Sequence, residues 1–580
     1  MKPTASPKEL VLLGGGHSHV EVLRALGPAA APVAPSHAPP TAAAPPPVPS
    51  PPARVTLISR GRWTPYSGML PGWAAGFYSF EEVHIDLQRL AAYAGARLVL
   101  GEATGLDLQG RRVLLAPPPA DATAQSGKHR SAQSGAEVGA GAEGGGVAAS
   151  QLDAPVPAEP GAAGGAVGWS VLSINTGITP GARGVPGAQE HTTPVKPIDG
   201  FVRRFEALLQ RYRDAAAQAS VQPSAGSQQE GSPHQHQHQQ RRPVVRVVVV
   251  GGGAGGVELA AAVRYRLEEE RRRGGWPEEC AAAEVSLVCR GGLLPGHPPH
   301  VRMLVARLLQ QRLGVAVQQR AEVTRVSAGR LHLRLMGSRG GGGKEALKAA
   351  ATSGGKAGQP GQEGQRGQEE ERVLAADEVL WCTQAAPPEW VAASGLPTDG
   401  RGFLALTDCL QADGGPPEVF GAGDVATVMR HPRPKAGVFA VRQGPPLARN
   451  LAAHLAGCPL EPFTPQSTAL ALITLGGRFC VASRTGGGGA SDRPAAAGAA
   501  GAAGAGSGPG GEPDDGPEWP LGWLLNGCGG LAVGLTGPLL WRWKDGIDRA
   551  FMRRYGEGLP PGDWERDDGS AGDAGKRHAE

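Results

Sequence analysis

The chain lacks paired cysteines. Its seven Cys are scattered, none closer than Cys280 and Cys289, so no C-x-x-C or C-x-x-x-x-C pair exists. This excludes a disulfide-stapled fold and fits a reducing compartment. Charge of one sign is also missing. The formal net charge is +4 over 580 residues, and no dense Lys/Arg cluster alternates with aromatic residues, so nucleic acid is not an expected partner. His234, His236 and His238 alternate with Gln, but no carboxylate or Cys framework accompanies them, so no metal site is expected. An apolar strand begins by Leu10, which leaves no room for a signal or transit peptide and makes cytoplasmic residence the expectation.

Glycine and proline are abundant, at 90 and 53 residues, about a quarter of the chain. That fraction borders on low complexity, yet 40% of residues are hydrophobic and no three-residue glycine period runs through, which excludes collagen and wholesale disorder. The excess sits in five Ala/Gly/Pro/Ser/Gln-rich stretches, 27–52, 117–166, 213–243, 336–372 and 484–517. They cannot bury enough apolar surface to offset the entropy of ordering, and they read as disordered surface insertions. Roughly 400 residues of globular core remain, enough for two or three domains.

Three motifs carry chemistry. In ELVLLGGGHSHVEVLRALG, an apolar strand enters Gly14, Gly15 and Gly16 and then a helical pattern. Such a turn lets backbone approach a pyrophosphate and aims the helix N-terminus at its charge. His19 occupies the third glycine position of G-x-G-x-x-G, so this copy is imperfect. In RVVVVGGGAGGVELAAAVRYRL, Gly251, Gly253 and Gly256 fill all three positions, again between strand and helix. Two such units predict two bound dinucleotides. In PEVFGAGDVAT, Gly423 and Asp424 end a short strand, where a carboxylate can accept hydrogen bonds from ribityl hydroxyls.

With these motifs in this order, the sequence resembles the two-dinucleotide flavoproteins of the pyridine nucleotide oxidoreductase superfamily, particularly type II NADH dehydrogenases and their apoptosis-inducing-factor-like relatives. Within it, TPYSGMLPG (64–72), INTGITP (174–180) and PKAGVFAVRQGPPLARNL (434–451) look closest to the flavoprotein module found fused to selenide, water dikinase. The resemblance implies an α/β fold of two doubly wound Rossmann-type domains with a small C-terminal region. The boundaries are 1–199 for the first part of the FAD domain, 200–400 for the NAD(P)H domain, 401–456 for the FAD-domain return and 457–580 for the C-terminal region. It further implies that the turn from Gly14 binds FAD, that the turn from Gly251 binds NAD(P)H, and that Asp424 holds the flavin ribityl chain. Met69, Leu70 and Pro71 would then pack near the isoalloxazine ring, and Thr176 and Gly177 would contact it by backbone. The competing reading of 69–71 is an apolar turn plugging the core.

Disulfide reductases of this superfamily pass electrons to a nearby Cys pair, which this chain lacks, so the flavin is expected to reduce its acceptor directly. Type II NADH dehydrogenases carry an A-x-x-Q motif beside the flavin, and Ala440-Val-Arg-Gln443 matches it. Gln443 offers donor and acceptor to a quinone carbonyl, or it is a polar residue on a helix face. By resemblance, Glu258 approaches the nicotinamide and Lys196 the flavin; the plain alternative for Glu258 is a carboxylate favoured by the helix dipole. No acid ends the second strand of either unit. Ser59 and Arg60 stand there in the first, so the FAD ribose is expected to be held otherwise, through Ser59. Arg290 stands there in the second, where it either pairs with a 2′-phosphate or is a solvated charge.

From Trp519 to Trp541 there is no charged residue, but six Gly, two Pro and Asn526 argue against a membrane span. Next, Leu540, Trp543, Ile547 and Phe551 fall at helical spacing against Arg542, Asp545, Arg549 and Arg553. This amphipathic helix suits peripheral membrane contact, a homodimer contact or packing onto the flavin domain. The reading is an FAD-dependent NAD(P)H dehydrogenase with a quinone-like acceptor. Its rivals are a redox module of selenium metabolism and a nucleotide-sensing binding protein.

Overall fold

The computed structural model describes residues 7–28, 53–117, 165–181, 184–221, 244–278, 280–336, 370–383, 385–485 and 534–560. Most of each Gly/Pro-rich stretch, the His234–His238 run and residues 519–533 lie outside these. One stretch begins later than expected: the helix Ile198–Val221 continues past 213, because Tyr212 and Ala216 pack into the core and the Tyr212 hydroxyl donates to the Ala281 carbonyl at 2.9 Å.

Two parallel sheets organise the chain. The first begins with β1 (Lys8–Leu13), β2 (Ala53–Ser59), β3 (Arg97–Leu100) and β4 (Val171–Ile174). The chain then builds a second sheet from β5 (Thr193–Pro194), β6 (Val244–Val250), β7 (Ala282–Cys289), β8 (Ala316–Gln319) and β9 (Glu378–Trp381), and returns as β10 (Val419–Gly421). The strand orders are β10-β4-β1-β2-β3 and β5-β9-β6-β7-β8, every pair parallel. Both are doubly wound sheets whose order reverses beside the glycine-bearing strand, the place where such folds bind ligands. The runs LVLL and VVVV are buried because parallel strands are covered on both faces.

Each glycine turn leads into a helix, α1 (His17–Leu26) after β1 and α2 (Ala254–Arg273) after β6. Val20, Val22 and Leu23 of α1, and Val257, Leu259, Ala260 and Val263 of α2, are buried. A three-stranded antiparallel sheet is inserted between β3 and β4 and another between β8 and β9, and the stretches around 118–164 and 337–369 each interrupt a hairpin of one of them. Breaking the chain at a hairpin end costs little, since loop-closure entropy grows slowly with length.

A third antiparallel sheet (Ala469–Thr474, Cys480–Thr485, Thr536–Gly537) leads into α3 (Pro538–Gly556). The face covered most fully is Trp541, Asp548 and Tyr555, while the apolar stripe expected at 540, 543, 547 and 551 is only half-buried. The helix packs by polar contacts onto the first unit: Tyr78 donates to Asp545 at 2.7 Å, Arg549 to Glu82 at 2.6 Å, Lys544 to the Gly68 carbonyl at 2.7 Å and Tyr555 to Glu21 at 2.5 Å. Among the described residues no helix is long and apolar enough to cross a membrane.

His19 explains the imperfect first glycine motif. Its ring is fully buried; Nδ1 lies 2.7 Å from the Gly14 carbonyl and Nε2 2.8 Å from Ser173 Oγ. The imidazole thus pins the glycine turn to β4. Burial pulls its pKa from 6.5 to about 4, only partly opposed by the Gly14 carbonyl. A His depressed in the folded state favours the fold while neutral, so its contribution is complete above pH 6.5 and lost as pH falls towards 4. His19→Ala is expected to cost roughly 2–4 kcal/mol in denaturant unfolding. His19→Gln is expected to lose less stability than wild type between pH 6.5 and 4. Unchanged midpoints in both variants would show that the ring bears no load.

Candidate functional site

The first glycine turn is built around a residue that sequence reading passed over. Gly14 has φ +101°, and its N–H donates to the Ile58 carbonyl at 2.8 Å. A Cβ on Gly14 would lie 2.3 Å from the Asn175 carbonyl oxygen. Cβ atoms on Gly16 and on Gly423, which has φ +72°, would each lie 2.4 Å from Asn175 Oδ1. Asn175, 3% exposed, is therefore wedged between the first turn and the Gly423-Asp424 turn. A Cβ on Gly15 would strike Leu87 at 2.5 Å.

Three buried polar atoms beside this turn have no partner: Asn175 Nδ2, Thr176 Oγ1 and His17 Nε2. Each unmatched group costs about 1–3 kcal/mol unless a ligand completes it. Gly177, φ +75°, has nothing within 4 Å of its Cβ position. Burial draws His17 down to about 4, with Asp424 opposing. A glycine cradle at a helix start with unmatched polar atoms fits a dinucleotide.

The Gly423-Asp424 turn is held from two sides. Gln443 Oε1 accepts the Gly423 N–H at 2.6 Å, and Lys196 Nζ pairs with Asp424 Oδ2 at 3.0 Å. Lys196 and Asp424, 228 residues apart, thus meet at the turn. Beside them a narrow pocket is lined by Asp424, Thr427, Lys435, Phe439, Ala440 and Gln443. Lys435 donates to Thr427 Oγ1 at 2.9 Å and lies 4.2 Å from the Phe403 ring centre; burial draws it down to about 8. Ser18 donates to the Ala440 carbonyl at 2.6 Å and so ties the A-x-x-Q segment to α1.

Met69, Leu70 and Pro71 are buried, Met69 to 1% exposure, and Met69 and Leu70 join the core cluster that includes Val257 and Leu259 of α2. The side chain of this loop that meets the first glycine turn is Tyr66. Its ring stands edge-on to His17 at 5.5 Å and stacks on Phe551 at 4.3 Å. Ser59 is buried, its Oγ 3.1 Å from the Gly15 Cβ position, and Arg60 is exposed.

The second turn repeats the first. Gly251 has φ +136°, its N–H donates to the Val288 carbonyl at 2.8 Å, and its Cβ would lie 2.3 Å from the Cys382 carbonyl. A Cβ on Gly256 would lie 1.9 Å from the Gly251 carbonyl, so the third glycine lets helix meet turn. Gly253 opens α2 with free space around it. Cys382 follows β9 as Asn175 follows β4, and Thr383 Oγ1, like Thr176 Oγ1, is buried without a partner. The matching segments Asn175-Thr176 and Cys382-Thr383 were readable as a repeat only once the topology aligned them. Burial pushes the Cys382 thiol up to about 12, so it is protonated at neutral pH.

Glu258 lies under the C-terminal region. Its carboxylate accepts the Thr474 N–H at 2.9 Å and the Thr474 hydroxyl at 3.0 Å. Burial raises its pKa, opposed first by the Lys544 ammonium. Arg290, at the end of β7, is exposed. The six described cysteines are all free, and no group of His, Cys, Asp and Glu suited to a metal ion occurs among the described residues.

Residues 174–444 match the family described as pyridine nucleotide-disulphide oxidoreductase. No curated protein matches the sequence. Among solved structures, the chain resembles NDH2 from Plasmodium falciparum in complex with NADH at 12% identity and TM-score 0.56, over 96% of this chain and 99% of that one. It also resembles the sulfide:quinone oxidoreductase of Aquifex aeolicus at 14% identity and TM-score 0.54, over 97% of this chain and 94% of that one. With two doubly wound sheets and a glycine turn at the head of each, the chain shares the fold of these structures, and its residues 174–444, which join the two sheets, carry the pyridine nucleotide-disulphide oxidoreductase match.

Proposed function

We propose that the protein is an FAD-dependent NAD(P)H dehydrogenase that delivers electrons to a quinone-like acceptor. The observation that carries this reading is the meeting of Asn175, Gly16 and Gly423 with their unmatched polar neighbours at the head of the first sheet. Bound FAD would supply the redox chemistry, taking hydride from dihydronicotinamide and releasing electrons to the acceptor.

The chain's own groups then divide the work. Gly14, Gly15 and Gly16 bring backbone to the diphosphate, with the start of α1 facing its charge. Asp424 accepts from ribityl hydroxyls, and Lys196 keeps that carboxylate aimed. Ser59 takes the adenosine ribose, beside Arg60. Thr176 and Gly177 border the flavin ring, and Met69, Leu70 and Pro71 form an apolar wall behind it. Gly251, Gly253 and Gly256 hold the diphosphate of the nicotinamide nucleotide, with Arg290 at its ribose. Glu258, anchored by Thr474, orients the nicotinamide end. Gln443 commits its carbonyl oxygen to Gly423, which leaves its NH2 group to donate to an acceptor carbonyl in the pocket beside Lys435. With no thiol pair at this site among the described residues, bound flavin would pass electrons directly to the acceptor. Cytoplasmic residence, with or without membrane contact through α3, and self-association remain part of the same proposal.

The purified protein is expected to be yellow. Its flavin should bleach without oxygen on adding NADH or NADPH and recover on adding a short-chain quinone. A sample without flavin bands, or one that stays oxidised under both nucleotides, overturns the reading. Recovery with selenium compounds but not with quinone would replace the acceptor.

A pair of glycine variants tests the cradle. Gly423→Ala drives a Cβ into Asn175 at a left-handed position, and FAD affinity is expected to fall more than about tenfold. Gly95→Ala, at a left-handed position (φ +64°) with nothing within 4 Å of its Cβ position and outside the proposed site, should cost only the backbone term, roughly 1–2 kcal/mol. Flavin release measured by fluorescence, with thermal unfolding alongside, separates lost binding from lost fold. Equal retention of FAD in both variants would sink the Asn175 cradle.

A further inference from the structure

The loop that follows β7 is basic from three directions. It runs Arg290-Gly291-Gly292-Leu293 and leaves the sheet level with the second glycine turn, since Val250 pairs with Val288 and the Leu294 N–H donates to the Gly252 carbonyl at 2.7 Å. This is where the adenosine ribose of a dinucleotide lies in a doubly wound domain, and where a carboxylate would receive the 2′-hydroxyl of NADH. Residues 286–296 contain no Asp or Glu.

Instead, Arg302 reaches the loop from the helix Pro299–Arg307. Its Nε donates to the Leu293 carbonyl at 2.8 Å, and a Cβ on Gly292 would lie 2.2 Å from its Nη2. Glycine at 292 therefore lets the guanidinium rest on the backbone. Arg320 follows β8 at φ +57°, its N–H donating to the Gly291 carbonyl at 3.1 Å. Gln319 Oε1 accepts the Leu293 N–H at 3.2 Å and fixes the loop from the same side. The neighbouring acid, Glu322, is occupied by Arg334 at 2.7 Å. Apart from the Arg302 Nε bond, the side chains of Arg290, Arg302 and Arg320 have no partner among the described residues.

From this juxtaposition we infer that the second site is built for a nucleotide carrying a 2′-phosphate, so that NADPH, not NADH, is the reductant, with Arg290 and Arg302 gripping the phosphate and Arg320 adding charge. Arg302 is held by Leu293 through one nitrogen, which leaves its two terminal nitrogens in a fixed fork suited to phosphate oxygens. Gly291, with nothing within 4 Å of its Cβ position, leaves room above the loop. The inference rests on the proposed nicotinamide role of the Gly251 turn and sharpens it.

Two measurements on the full chain with its flavin test it. Calorimetric titration with adenosine 2′,5′-bisphosphate and with ADP needs no turnover. The 2′-phosphorylated ligand is expected to bind about tenfold more tightly or better, and Arg290→Ala and Arg302→Ala are each expected to remove about tenfold from it while leaving ADP within about twofold. Arg302→Lys should recover only part of the loss, because an ammonium lacks the fork. Anaerobic flavin bleaching should follow the same order, NADPH ahead of NADH. Equal binding of the two adenosine ligands, or variants that weaken both alike, overturns the inference. If neither nucleotide bleaches the flavin while the 2′-phosphate preference persists, the oxidoreductase reading fails and the arginine site stands.

Discussion

Asn175 sits where three stretches of backbone try to occupy the same space. The turn after β1, the end of β4 and the turn after β10 converge at the head of the first sheet, and the contacts at Gly14, Gly16 and Gly423 are so short that no side chain larger than hydrogen fits. Parallel strands about 4.8 Å apart deliver their ends side by side, so the crowding is a consequence of the sheet itself. Everything proposed for the flavin depends on it. The crowding leaves buried polar atoms unmatched and brings Asp424 to the same edge.

The same solution is used twice. Cys382 and Thr383 stand to Gly251 as Asn175 and Thr176 stand to Gly14, with one carbonyl in each case 2.3 Å from the Cβ position of the first glycine. The copies diverge in what they add. The first spends its third glycine position on His19, which bonds both the turn and β4. The second keeps Gly256, so that α2 rests directly on the Gly251 carbonyl. At the end of the neighbouring strand, the first carries Ser59 against the turn and the second carries Arg290 on a loop that Arg302 also contacts.

The C-terminal helix α3 joins the units through charge as well as apolar contact. Lys544 donates to the Gly68 carbonyl at 2.7 Å and to Asp548 at 2.5 Å, and it lies close enough to Glu258 to oppose the rise of that carboxylate. Burial pulls the Lys544 ammonium down, but Asp548 and Glu258 outweigh it and hold it above its ordinary value. The amphipathic pattern seen in the sequence is therefore partly inverted. Asp545 and Arg549 of its charged face meet other side chains of the protein, because a helix crossing the junction of two units meets polar strand ends and loops as well as a smooth apolar surface.

Sequence alone determined the doubled α/β architecture, since strand, glycine turn and helix occur in that order twice. Residues whose roles arise from long-range approach stayed hidden. Asn175 looked like any strand end, Arg302 like any helix surface charge, and Glu258 like a group answering to its own helix dipole, whereas its partner is Thr474, 216 residues away. Periodicity and spacing report on neighbours along the chain. Only the tertiary structure could decide which side chains, separated by hundreds of residues, would share the few ångströms at the head of each sheet.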